Sequence, residues 1–235
     1  MIEDMGQFTN QVVVVTGATG GLGGAVVHAF LSEGATVWGI LGPSSPSRIA
    51  DPKFATVGAD LTVPAEAELA VRKVVESSGK IDVLLHLTGG FAGGKPVVET
   101  ADADWNKMLG LNLHTAIHMA RAVLPHMLEA GKGRIVAIGS RTGVEPAAGL
   151  SAYGVSKAAL IALVRTIAAE VRNSGITANI VLPSVIDTPA NRAASPAADA
   201  GKWVQPESIA RLLLFLASEA AADINGAVIP IYGRA

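Results

Sequence analysis

Tyr153 and Lys157 stand four residues apart in "SAYGVSKAAL", a spacing that places both side chains on one face of a helix. A free phenol titrates near about pH 10, and a neighbouring ammonium stabilises the phenolate, so the pair can exchange a proton nearer neutrality. Tyr153 would then be the acid for carbonyl reduction or the base for alcohol oxidation. Ser140 ends the run "GRIVAIGS" just upstream, where its hydroxyl would hydrogen-bond a substrate oxygen. Asn112, in "LGLNLHTAIHMA", adds a fourth polar group to an otherwise apolar stretch. Each has a plainer reading alone: Tyr-x-x-x-Lys recurs on exposed helix faces, and a lone Asn can simply distort a helix.

A second constellation lies near the N-terminus. In "VVVVTGATGGLGGAVVHAFLSEGA", Gly17, Gly21 and Gly23 sit between a strand-like run and an amphipathic helix. A turn of this kind brings backbone N–H groups against a pyrophosphate at the positive end of the helix, where side chains would block the approach. The residue after the second strand commonly chooses between NAD(H) and NADP(H), and here "VWGILGPSSPSR" offers Leu41 and Gly42, neither acid nor base. Without an acid to repel a phosphate, and with Ser44, Ser45 and Arg48 within reach, the balance tilts towards NADP(H); Arg48 as a solvated loop residue is the competing reading. Asp60, in "GADLT", either accepts from the adenine amino group or starts a turn. There is no cysteine, and the five histidines show no zinc-ligand spacing, so no metal is expected.

These groups need elements to hold them. Apolar, β-branched runs at 11–16, 35–40, 54–59, 81–87, 133–139, 176–182 and 227–231 suit strands buried on both faces. Helices are expected between them at about 21–33, 64–78, 101–130, 151–173 and 206–219, with Thr100 or Asp102 capping the third and Pro206 in the first turn of the fifth. The alternation predicts an α/β fold, a three-layer, doubly wound parallel sheet of about seven strands flanked by helices. Residues 1–235 read as one domain, with a substrate lid at about 184–205, a long Ala/Pro/Ser-rich stretch without periodicity. Arg192 in that lid either meets a substrate anion or is solvated, Trp203 anchors its end, and Trp38 faces a helix. A second glycine cluster, "LTGGFAGGKP" at 87–96, has no helix directly behind it. It reads as backbone passing the nicotinamide half of the dinucleotide, with Phe91 walling the substrate.

The formal charge of -2 without any basic block argues against nucleic acid and anionic membranes as partners. The polar, acidic start is unlike a secretory signal, and no run approaches the roughly 20 apolar residues of a membrane span. A cytoplasmic protein is expected. Helices 101–130 and 151–173 carry more apolar surface than one buried stripe requires, which predicts subunit contacts.

The glycine motif, Asn112, Ser140, Tyr153, Lys157 and "LPSVIDT" together resemble the short-chain dehydrogenase/reductase family along nearly the whole chain. The resemblance implies a Rossmann-type sheet, hydride transfer between a nicotinamide and a small carbonyl or alcohol substrate, and assembly as a homodimer or homotetramer. It makes Tyr153 the proton donor, Ser140 the group that polarises the substrate oxygen, and Lys157 the ligand of the nicotinamide ribose. Asn112 would hold a water leading to solvent. Position matching places dinucleotide contacts at Gly17, Thr19, Gly21, Leu22 and Gly23, at Leu41, Asp60, Leu61 and Gly89, and at Pro183, Ile186 and Thr188 besides Tyr153 and Lys157. Where the family reads Asn-Asn-Ala-Gly, this chain reads "HLTG", so the usual asparagine contacts should be lost, and Ser184 replaces a common glycine. "GGFAGG" and the lid are similar to segments of dihydropteridine reductase, which lacks the serine, so reduction of a quinonoid pterin is an alternative. A dinucleotide-binding sensor or scaffold without chemistry is another.

Overall fold

The computed structural model describes residues 6–42, 45–46 and 49–234. Seven strands, β1 Val12–Thr16, β2 Thr36–Leu41, β3 Phe54–Gly58, β4 Val83–His86, β5 Gly133–Ile138, β6 Ile176–Pro183 and β7 Val228–Ile231, form one sheet in the order β3-β2-β1-β4-β5-β6-β7. Every pairing is parallel. The order reverses between β1 and β4, and there the carboxyl ends of the strands open a crevice for a ligand.

Helices cover both faces. The even positions of β1, Val12 and Val14, pack into one apolar cluster with residues of α2 Pro64–Ser78, α4 Thr115–Ala130 and α5 Ser151–Glu170. The odd positions, Val13 and Val15, pack into a second with α1 Gly23–Ser32 and α7 Pro206–Ala217. An all-apolar strand is what two covered faces demand, since successive side chains point to opposite layers. Trp38 on β2 is buried, and its indole N–H donates to Ser78 Oγ of α2 at 2.8 Å, which meets the expectation that it faces a helix.

The helix expected over 101–130 is three segments. α3 Asp102–Leu109 is followed by a π-turn, Gly110–His114, and then by α4. A π-turn carries an extra residue per turn and is often found at functional positions; Asn112 lies in the middle of this one. Neither expected cap forms, because Ala101 is the N-cap and Thr100 Oγ1 donates to Pro96 O at 2.9 Å. Asp102 and Asp104 in the first turn still favour the positive helix end. α5 is long and apolar enough to cross a membrane, yet eight of its residues are buried, Lys157 among them.

The stretch 184–205 is more ordered than its composition predicts. Thr188 Oγ1 accepts from Asn191 N at 3.2 Å to cap α6 Pro189–Ala194, and a 3-10 turn follows at Ala200–Lys202. Asp187 N donates to Val204 O at 2.8 Å and Val204 N to Val185 O at 2.9 Å, closing the base of the segment. Trp203 beside that closure is buried.

Candidate active site

The glycine turn is shaped by sterics. Gly17 follows β1 with φ +67°, a backbone that favours glycine. A Cβ at Gly23 would strike the Gly17 carbonyl and the Ala18 backbone. The first turn of α1 has no side-chain cap, Leu22 being its N-cap, so its N–H groups face outward with the positive end of the helix. Leu22 is buried, Thr19 is exposed, and a Cβ at Gly21 would sit 2.6 Å from Thr188 Cγ2, so the segment after β6 covers this turn. A glycine-lined helix start without a side-chain cap fits a dinucleotide pyrophosphate.

The four polar residues singled out in the sequence converge at the ends of β4 and β5. Tyr153, half-buried in the first turn of α5, faces Ser140, and burial pushes its phenol above the ordinary value while the Ser140 hydroxyl works against that rise. Ser140 is buried and also accepts from Thr142 N at 3.3 Å. Lys157, one turn further along α5, is buried and donates to Ile138 O of β5 at 2.9 Å. Burial pushes its ammonium down to about 8. Among the described residues Ile138 is its one hydrogen-bond partner, which leaves two N–H donors for a ligand. Against the expected lowering of the phenol by Lys157, desolvation raises Tyr153 in the folded chain, and Ser140 is the group that opposes that rise.

Asn112 is fully buried, and its side chain makes a clamp. Oδ1 accepts from Gly90 N at 2.8 Å, and Nδ2 donates to Gly90 O at 3.1 Å and Ser156 Oγ at 2.9 Å. Ser156 Oγ in turn donates to Tyr153 O at 2.7 Å. Ser156 was missed in the sequence, although it stands three residues from Tyr153 on the same helix face. A Cβ at Gly89 would lie 2.7 Å from Asn112 Oδ1 and 3.2 Å from Lys157 Nζ, so the second glycine cluster lets backbone run directly past both. Phe91, 67% exposed, meets the Tyr153 ring edge-on at 5.0 Å between centroids.

In the "HLTG" segment a histidine stands where the family's asparagine would, with contacts of its own. His86 is buried between Thr16 and Thr115, with Nδ1 3.2 Å from Thr16 Oγ1 and Nε2 3.3 Å from Thr115 Oγ1. Burial, with the Lys157 charge as a smaller cause, pushes the imidazole down to about 3. Ser184 has its own partner, donating to Tyr232 O at 2.6 Å.

The remaining sequence candidates are distributed around the crevice. Leu41 ends β2 and Leu61 follows β3, both buried; Asp60 Oδ1 accepts from Thr62 N at 2.9 Å and from Thr62 Oγ1 at 2.7 Å, which makes it the start of a turn. Those bonds hold its carboxyl below the usual carboxylate value. Ser44 and Arg48 lie outside the described residues, and Ser45 is exposed. Pro183 ends β6, and the Ile186 carbonyl accepts from Asn191 Nδ2 at 2.8 Å. Arg192 is committed to a carboxylate of its own segment, with Nε 2.5 Å and Nη2 2.7 Å from Asp187, which also accepts from Gln205 Nε2 at 3.0 Å. Asp187 was not singled out in the sequence.

A parallel sheet in this order, a glycine turn after β1 and a Tyr–Lys pair on α5 can be compared with known proteins. The family model for short chain dehydrogenases matches residues 11–199. The short-chain dehydrogenase/reductase olcF of Penicillium canescens is 32% identical over 97% of this chain and 97% of its own length. The 3-oxoacyl-[acyl-carrier-protein] reductase FabG of Escherichia coli is 30% identical over 96% of this chain and 97% of its own. Among solved structures, ElxO with NADP bound superposes with a TM-score of 0.86 at 26% identity, covering 95% of this chain and 97% of that one. Matched over most of its length by the one model and nearly end to end by these relatives, the chain is an NAD(P)-dependent oxidoreductase that belongs to the short-chain dehydrogenase/reductase family.

Proposed function

We propose that the protein transfers hydride between a nicotinamide dinucleotide and a carbonyl or secondary alcohol, with Tyr153 as the acid–base group. The observation that carries this reading is the phenol of Tyr153, held by Ser140 and one helical turn from a buried ammonium with donors to spare. In the direction of reduction, the hydride that a bound dinucleotide would supply goes to the carbonyl carbon. The C=O π pair moves onto oxygen, which takes the Tyr153 proton, and Ser140 hydrogen-bonds the same oxygen as charge develops there. Burial keeps the phenol protonated, the form that reduction needs. Lys157 directs its free N–H donors at the nicotinamide ribose and stabilises the phenolate left behind, and the Asn112 clamp holds Gly90 and, through Ser156, the first turn of α5.

A dinucleotide would be held at the glycine turn and the ends of β1 and β4, with Gly17, Thr19, Gly21, Leu22 and Gly23 receiving the pyrophosphate. Leu41, Asp60 and Leu61 would hold the adenosine half, and Gly89, Pro183, Ile186 and Thr188 the nicotinamide half. NADP(H) is the favoured form because Leu41 presents no acid to the 2′-phosphate, and NADP is bound in the related ElxO structure. The 184–205 segment acts as a lid. With Arg192 paired to Asp187, the lid presents no free cation there, and Phe91, on the loop after β4 and edge-on to Tyr153, walls a neutral substrate rather than an anionic one.

The test is a thermal-shift comparison of NAD, NADP, NADH and NADPH, followed by a panel of ketones, secondary alcohols and a quinonoid dihydropterin. Tyr153→Phe should abolish turnover while dinucleotide affinity stays within about threefold of the parent, because the hydroxyl acts on the substrate oxygen. Unchanged turnover in that variant would sink the mechanism.

A further inference from the structure

His86 stands at the carboxyl end of β4, directly across from Thr16 of β1, on the face of the sheet covered by α4 and α5. Its hydrogen bonds have a direction that donor accounting settles. Thr16 Oγ1 accepts from Leu87 N and from Thr88 N, both at 3.1 Å. Those two donors use both lone pairs of the hydroxyl, so its own proton goes to His86 Nδ1 at 3.2 Å. Nδ1 is thus an acceptor and the ring proton sits on Nε2, which donates to Thr115 Oγ1 at 3.3 Å. Thr115 passes its proton to Leu111 O at 2.7 Å. The chain of bonds runs one way, from the β4 loop through Thr16 and His86 to Leu111.

Its two ends are informative. Thr16 immediately precedes the Gly17 turn. Leu111 lies within the π-turn on which Asn112 sits, and Thr115 is its C-cap. We infer that His86 is a positioning residue, a neutral crosspiece fixed in its Nε2–H tautomer that holds the π-turn, and so the Asn112 clamp, in register with the glycine turn. The inference rests on the reading of Asn112 as part of the catalytic machinery. A ring proton on Nδ1 would point at a hydroxyl with no lone pair left, and the burial that keeps the imidazole neutral fits the same picture. An apolar ring would leave Thr16 without an acceptor and Thr115 without a donor in a closed interior.

The experiment measures kcat, KM and backbone hydrogen exchange on the full chain. His86→Phe and Thr115→Val should each lower kcat by about tenfold or more, as displacement of a catalytic constellation does, while KM for the dinucleotide stays within about twofold. His86→Phe should cost nothing further in kcat when Asn112 is already Ala, because its effect travels through that residue. The segment 108–116 should exchange faster in His86→Phe, with α7 unchanged. His86→Gln, with one acceptor and a donor on its carboxamide, should recover much of the activity; if the Phe variant does not fold, Thr115→Val carries the test. A parent-like kcat in Thr115→Val or in a folded His86→Phe would overturn the crosspiece, as would parent-like exchange over 108–116 or full multiplicativity with Asn112→Ala. If Asn112→Ala itself leaves kcat unchanged, the catalytic reading of Asn112 falls, while the exchange result still decides whether His86 holds the π-turn.

Discussion

His86 shows how one polar side chain can hold two distant parts of the site and leave a trace in acid. Its ordinary value is 6.5, and in the folded chain it is pushed down to about 3 by burial, with the Lys157 charge adding to it. The unfolded chain therefore takes up a proton between those two values that the folded chain refuses. Stability from this group is fully present above about pH 6.5 and is lost as pH falls towards 3, by up to about 1.4 kcal/mol per pH unit. His86→Gln cannot take that proton, so its denaturation midpoint should fall less steeply than the parent's between pH 6 and 4, both read in urea at fixed ionic strength. An identical slope in the two proteins would exclude His86 as the responsible group. The signal for His86 was present in the sequence as a break in the family pattern, but nothing in the string says that Thr16 and Thr115 are its partners. The same holds for Lys157 and Tyr153: their spacing shows a shared face, while the direction in which burial moves each of them depends on what surrounds that face.

Among the elements, the glycine turn and the lid respond to change in opposite ways. Gly23 and Gly24 are adjacent and equally glycine in the sequence. A Cβ at Gly23 would enter the backbone of Gly17 and Ala18, whereas nothing lies within 4 Å of one at Gly24. Gly23→Ala should therefore destabilise the chain by about 1–3 kcal/mol or more and weaken dinucleotide binding. Gly24→Ala, at the start of α1, should be neutral or stabilising by roughly 0.5 kcal/mol. Thermal unfolding with and without dinucleotide checks both. In the lid, Asp187 joins α6 through Arg192 to the far end of the segment through Gln205, and the Arg192 bond holds its carboxyl below the usual value. Asp187→Ala should lower Tm only modestly, because the Arg192 end of the pair is solvent-exposed even though the Asp187 carboxylate is largely covered. It should, however, speed proteolytic cleavage within 189–202 and raise KM. Parent-like cleavage would show that the backbone bridge at Ile186 and Val204 closes the lid unaided. The π-turn is the element that periodicity hid: an apolar pattern continuous through 101–130 marks one buried stripe, and inserting one extra residue per turn at 110–114 shifts that stripe without erasing it.

Across the whole molecule, the outer face of α5 remains to be covered. Val155, Ala158, Ala162 and Ala169 are exposed along one side of a helix whose opposite side is core. We expect a homo-oligomer built on this face, and Ala162→Glu should shift light scattering towards the monomer mass with little change in the far-ultraviolet spectrum. A parent protein that is already monomeric would remove the expectation. By itself the sequence determined the alternation of strands and helices, the burial of the strands on both faces, the glycine turn and the types and spacing of Asn112, Ser140, Tyr153 and Lys157. These are local properties: side-chain period, chain geometry at glycine, and residue type at short spacing. Only the tertiary structure decided that His86 bridges Thr16 and Thr115, 70 and 29 residues away, that Asn112 clamps Gly90 and Ser156, and that Arg192 belongs to Asp187. The physical reason is that a buried polar group takes whichever partner the packed elements bring to it, and the sheet order that makes β1 a neighbour of β4 is set by the packing of the whole chain.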